Sequence, residues 1–137
     1  MNRTRKFWLG IAIIVLLAMG AILTTTWAYS ARQLQALKEQ TVYATPEEGT
    51  RELIARYYSG VNKVEIVHAG REIFDDLWFV EAHIWAASRS DGKGFSGRDY
   101  DNPGWFFLRV QNGWAFVPEG KFPEIIAFGK WLFGLLG

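Results

Sequence analysis

The rhythm of apolar and polar positions changes repeatedly along the chain, and each change marks an element. Residues 7–23 contain no charge, and 24–29 extend the uncharged run. At ~1.5 Å rise per residue, a helix of that length crosses a hydrocarbon core of roughly 30 Å. Arg3, Arg5 and Lys6 precede it, whereas the far flank offers only Arg32 and Lys38 nearby, so the positive-inside bias places the N-terminus in the cytoplasm. Trp8, Trp27 and Tyr29 stand at its ends, where amphipathic rings favour the headgroup region. Ala28-Tyr29-Ser30 also has the small residues of a signal-peptidase site, but the run exceeds the usual signal-peptide core of about 7–15 residues. Both readings export the remainder of the chain.

Residues 30–40 are rich in helix formers, with Leu34 and Leu37 three apart, and predict a stalk that continues the anchor; residues 41–44 break it. Thr45-Pro46-Glu47-Glu48 is a helix start, with a capping hydroxyl, a proline suited to the first turn and a carboxylate for a capping box. Leu53, Ile54, Tyr57 and Tyr58 follow at helical spacing, and Ser59-Gly60 stops the helix. Between residues 63 and 88 the period becomes two, predicting two strands. A two-residue turn at Asp75-Asp76 would put His68 opposite His83 and Gly70 opposite Glu81. Apolar runs at 105–110 and 114–117, joined through Asn112-Gly113, predict a second hairpin. Residues 124–136 form a last helix that is apolar almost all round and too short to span a bilayer.

The organisation expected is therefore a cytoplasmic tip and anchor (1–29), a stalk (30–44) and an exported domain (45–137) of α+β class. In that domain one helix packs on a small antiparallel sheet of two hairpins, followed by an apolar C-terminal helix. The capped helix from Thr45-Pro46-Glu47-Glu48 to Tyr57-Tyr58-Ser59-Gly60, followed by antiparallel strands behind a membrane segment, resembles the small exported domains of the nuclear transport factor 2-like (cystatin-like) class. The likeness covers residues 45–118. It implies a helix lying in the concavity of a curved sheet, with a cleft between them that binds a small molecule or is simply filled.

Composition narrows the chemistry. Half of the 137 residues are hydrophobic and 16% aromatic, enough for a real core. Without cysteine, disulfides, thiolate catalysis, thiolate zinc sites and a lipidated cysteine are excluded. Setting aside the three basic residues before the anchor, the remainder is slightly acidic, which argues against nucleic acid as partner. No cofactor is indicated.

The best candidates for a ligand cleft are His68, Glu81 and His83, with Glu72 and Trp85 close by; imidazole beside carboxylate suits acid–base work or a metal pair. The plainer alternative is a set of polar positions on the less buried face of a sheet. Gly92-Lys93-Gly94-Phe95-Ser96-Gly97 matches G-x-G-x-x-G, but the residues after it cannot open the helix that a pyrophosphate needs. Asp99, Asp101 and Asn102 offer oxygens for calcium, but Pro103 stands where an EF-hand loop would place another ligand, and a solvated turn is the plainer reading. The seven tryptophans suggest sugar stacking, but most alternate with aliphatics as core residues do. In the last helix Phe128, Trp131, Leu132 and Phe133 form a candidate interface with the bilayer surface, a membrane or envelope partner, or a second copy. The expected role is a non-enzymatic, membrane-tethered binding or assembly module, with a small-molecule or metal site around His68, Glu81 and His83 as the alternative.

Overall fold

A computed structural model describes residues 2–90 and 100–135. The first helix, α1 (Arg3–Glu39), is one continuous rod of 37 residues, opened by Asn2, whose Oδ1 accepts from the Arg5 amide at 2.8 Å. It is long and apolar enough to cross a membrane. Thr24 and Thr25 sit in this apolar surface because each hydroxyl donates to the carbonyl one turn back, Gly20 and Ala21.

A short strand β1 (Val42–Tyr43) leads into α2 (Pro46–Tyr57). Thr45 Oγ1 accepts from the Glu48 amide, and Glu48 returns its carboxylate to the amide of Ala44, a capping box displaced by one residue on its outer side. Then come β2 (Tyr58–Ser59), β3 (Lys63–Arg71), β4 (Leu77–Trp85), β5 (Ser88–Arg89), β6 (Gly104–Val110), β7 (Gly113–Val117) and α3 (Pro123–Phe133). The main sheet is antiparallel with strand order β1-β7-β6-β4-β3, and β2 with β5 forms a separate two-stranded ladder. The architecture is α+β, with three short strands beyond the two hairpins that the sequence pattern predicts: β1, β2 and β5.

Strict alternation divides the core in two. Val80, Ala82 and Ile84 of β4, with Trp105 and Phe107 of β6, meet Leu53 and Ile54 of α2. Leu77, Leu108, Val110, Ala115 and Val117 point the other way, onto Leu34 and Leu37 of α1 and Ile126 and Ala127 of α3. The sheet is thus the middle layer between α2 and an α1–α3 pair. Residues 30–39, expected as a stalk, are core-forming: Ser30, Leu34 and Leu37 are buried. Gly129 permits the helix crossing, since a Cβ there would overlap the Ser30 hydroxyl, which itself donates to Ile125 O at 3.1 Å.

The first hairpin departs from the expected register. The connection runs over residues 72–76, closed by Glu72 N–Leu77 O at 2.9 Å and Leu77 N–Phe74 O at 3.0 Å, and β3 has a bulge between Ile66 and His68. His68 therefore faces Glu81 rather than His83, Gly70 faces Phe79, and His83 faces Glu65. A longer loop and one extra residue each shift the pairing, and neither is signalled by Asp75-Asp76. In the second hairpin Val110 pairs with Gly113, so Gln111 and Asn112 make the turn and Gly113 comes directly after it. Among the described residues no non-glycine has positive φ, and Gly113 takes φ 143° where β1 passes so close that a Cβ would strike Tyr43 O.

Candidate functional site

The bulge leaves His68, Glu81, His83 and Trp85 on one face of the β3–β4 pair, beyond the edge of the α1–α3 layer. His68 lies in an i,i+4 contact with Glu72, Nε2 to Oε1 3.5 Å, and its side chain remains 49% exposed. Its ring centre is 5.9 Å from that of Phe79, which stacks on Phe106 at 4.7 Å. Further along, His83 packs on Tyr100 at 4.3 Å, Trp85 on Tyr100 at 5.1 Å, and Lys63 Nζ lies 4.7 Å over the Trp85 ring. Among the described residues these side chains are neighbours on an aromatic face of the sheet, with His68 exposed and Glu81, His83 and Trp85 half-buried. Among the described residues no group of three or more His, Cys, Asp and Glu side chains is arranged to hold a metal ion.

Asp101 has a role that no local pattern in the sequence signals. It is 1% exposed, accepts a hydrogen bond from the Tyr58 hydroxyl, and pairs with Arg89 Nη1 at 2.8 Å. Its backbone bridges β4 in both directions, Ile84 N–Asp101 O and Asp101 N–Ile84 O each 2.9 Å. Asp101 thereby ties β2 and β5 through its carboxylate to the outer end of β4 through its backbone, which corrects both the calcium and the solvated-turn readings at this residue. Asp99 and the glycine motif at 92–97 lie outside the described residues. Three residues so distant in sequence as Tyr58, Arg89 and Asp101 carry no common signal that would link them.

The other predicted group is divided by α3. Phe128, Trp131 and Leu132 are exposed, with Trp131 at 68%, while Phe133 is half-buried. Phe122 and Ile125 extend the bare apolar surface towards the start of the helix. The β3–β4 loop joins it: Phe74 packs on Phe128 and Trp131 at 6.2 and 6.3 Å, and Ile73 is 81% exposed. Lys130 Nζ holds the loop through Asp76 Oδ2 at 2.7 Å. Ile73-Phe74 between Glu72 and the two aspartates is the apolar pair in the sequence that could have pointed to this loop. α3 meets α1 where the uncharged run ends: Tyr29 Oη accepts from the Phe122 amide at 3.1 Å, and Gly129 sits against Ser30.

A half-open cavity of ≈ 390 Å³ lies on the opposite side of the sheet, between α2 and β3, lined by Thr50, Ile54, Val64, Ile66 and Val80 among others. Near the other end of α2's layer, burial and then the charge of Glu52 push the Tyr43 phenol above its ordinary pKa. The chain matches no family model, no curated protein and no solved structure.

Proposed function

We propose that the protein is a single-pass, membrane-tethered binding or assembly module, N-terminus inside, whose exported domain rests on the bilayer surface through α3 and the tip of the β3–β4 loop. The observation that carries this reading is the position of the bare apolar surface. Phe122, Ile125, Phe128, Trp131, Leu132 and Ile73 gather beside the residues where the uncharged run of α1 ends, at the level of headgroups if α1 spans. Left in water, such a surface is an aggregation hazard; in the interface its burial is favourable by about 25 cal/mol per Å2.

A small-molecule or metal site around His68, Glu81 and His83 is the second reading, supported by their sharing one face of the β3–β4 pair. Likeness to the nuclear transport factor 2-like class remains part of the proposal, supported by α2 lying across an antiparallel sheet with a groove beside it.

The absence of cysteine makes the test direct. Leu132→Cys carrying an environment-sensitive dye, in the full chain reconstituted into phosphatidylcholine–phosphatidylglycerol vesicles, is expected to be quenched by lipids spin-labelled near the headgroup, while Glu39→Cys, exposed at the far end of α1, is not. Equal exposure of both sites to aqueous quencher would sink the interfacial reading.

A further inference from the structure

We infer that the outer edge of β3, with the groove beneath it, takes up a short extended peptide segment of a partner protein as an added strand. β3 ends the five-stranded sheet, and every one of its nine residues except Gly70 is exposed; the other edge, β1, has only two residues. On an edge strand every second residue turns its N–H and C=O outward, and among the described residues no strand pairs with that side.

Beside this open ladder lies the cavity of ≈ 390 Å³, where Val64, Ile66 and Ala69 of β3 meet Ile54 of α2 and Val80 of β4, with Glu47, Thr50 and Arg51 along its helical wall. The combination selects its occupant. A lipid chain would fill the groove and leave the edge amides to water, and a helix has no free amides to give them. An added strand answers both, bonding to β3 while alternate side chains drop into the apolar groove. The bulge at Val67 bends the edge, so pairing runs over short stretches on either side of it and suits a short segment.

A second copy of this chain fits less well. Edge-to-edge antiparallel pairing of two copies needs a two-fold axis normal to the sheet. The end of α1 lies on the sheet face through Leu34 and Leu37, so that axis turns the two α1 helices antiparallel. Copies anchored in one membrane cannot adopt that arrangement, a step that rests on the tethered reading above; a partner's strand carries no such restriction.

The full chain in phosphatidylcholine nanodiscs tests this with a fluorescent peptide of about six residues, alternating valine and threonine. Two further versions carry N-methyl groups on one or the other alternate set of amides. The expected result is saturable binding that one methylation pattern abolishes and the other leaves intact. Ile66→Lys, which puts a charge in the groove, should weaken it about tenfold or more; Val64→Lys serves the same purpose if that variant fails to fold. No binding at about millimolar peptide, equal binding of both methylated peptides, or wild-type binding by a folded Ile66→Lys protein overturns the proposal. So does disulfide formation between copies through Ile66→Cys, which would give the edge to a second copy. The Leu132→Cys measurement reports independently on the membrane reading: a water-exposed Leu132 site with peptide discrimination intact would remove the interfacial contact and leave the strand site standing.

Discussion

β3 and β4 are two strands of one hairpin, equal in length and paired along their course, yet they live in different environments. Four residues of β4 are buried, Leu77 under the α1–α3 pair and Val80, Ala82 and Ile84 under α2, whereas β3 buries none. Alternation alone does not forecast this, since both strands alternate, Val64 and Ile66 in β3 and Val80, Ala82 and Ile84 in β4. The difference comes from neighbours. β4 is flanked by β6 and pinned at its outer end by Asp101, while β3 is the last strand and is separated from α2 by the open groove. Stability in this domain resides in the strand that is surrounded, and available binding surface in the one that is not.

That contrast can be tested by breaking each side of it. The largest effect is expected from Asp101→Ala, which removes the carboxylate buried against Arg89 and Tyr58 and should cost about 3–5 kcal/mol, the usual range when one partner of a buried pair is deleted. Urea unfolding of the full chain in detergent micelles, followed by near-ultraviolet circular dichroism, measures it; a cost below about 1 kcal/mol would mean that the cluster behaves as a surface pair. Next comes the comparison itself: Ile84→Ala in β4 should destabilise by about 2–5 kcal/mol, and Ile66→Ala in β3 by well under half as much, because Ile66 is 49% exposed before the change. Equal losses in the same assay would show that β3 is covered in the folded protein.

The smallest effect lies at the far edge of the sheet. Burial raises the Tyr43 pKa in the folded state above its unfolded value of 10.0, so the unfolded chain loses the phenolic proton first as pH rises. The stabilisation that goes with the neutral phenol is whole below pH 10.0 and fades as pH climbs towards the folded pKa. Tyr43→Phe should flatten the alkaline limb of the stability curve and leave the curve near neutrality unchanged in shape; an identical alkaline slope in the two proteins would contradict this.

Much of this architecture is legible from local signals. Thr45-Pro46-Glu47-Glu48 announces α2, the period-two runs announce β3, β4, β6 and β7, and the uncharged stretch before Ser30 announces the apolar part of α1, because caps, alternation and helix length are properties of neighbouring residues. The candidate residues are partly legible too. His68, Glu81 and His83 do share a face, and three of the four aromatic or aliphatic residues picked out in α3 stand bare.

What the sequence alone determined, then, is where the longer elements lie and which side chains alternate within the hairpin strands, whereas β1, β2 and β5 carry no pattern of their own. Only the tertiary structure decided the hairpin register, because a bulge at Val67 and a loop over residues 72–76 are chosen by packing as much as by local chemistry. It also decided that residues 30–39 belong to the core, that Asp101 finds Tyr58 and Arg89, and that α3 brings its exposed rings beside the end of the apolar run. Each of these joins residues far apart in the chain, and the free energy that selects such a contact exists only once the intervening elements have folded.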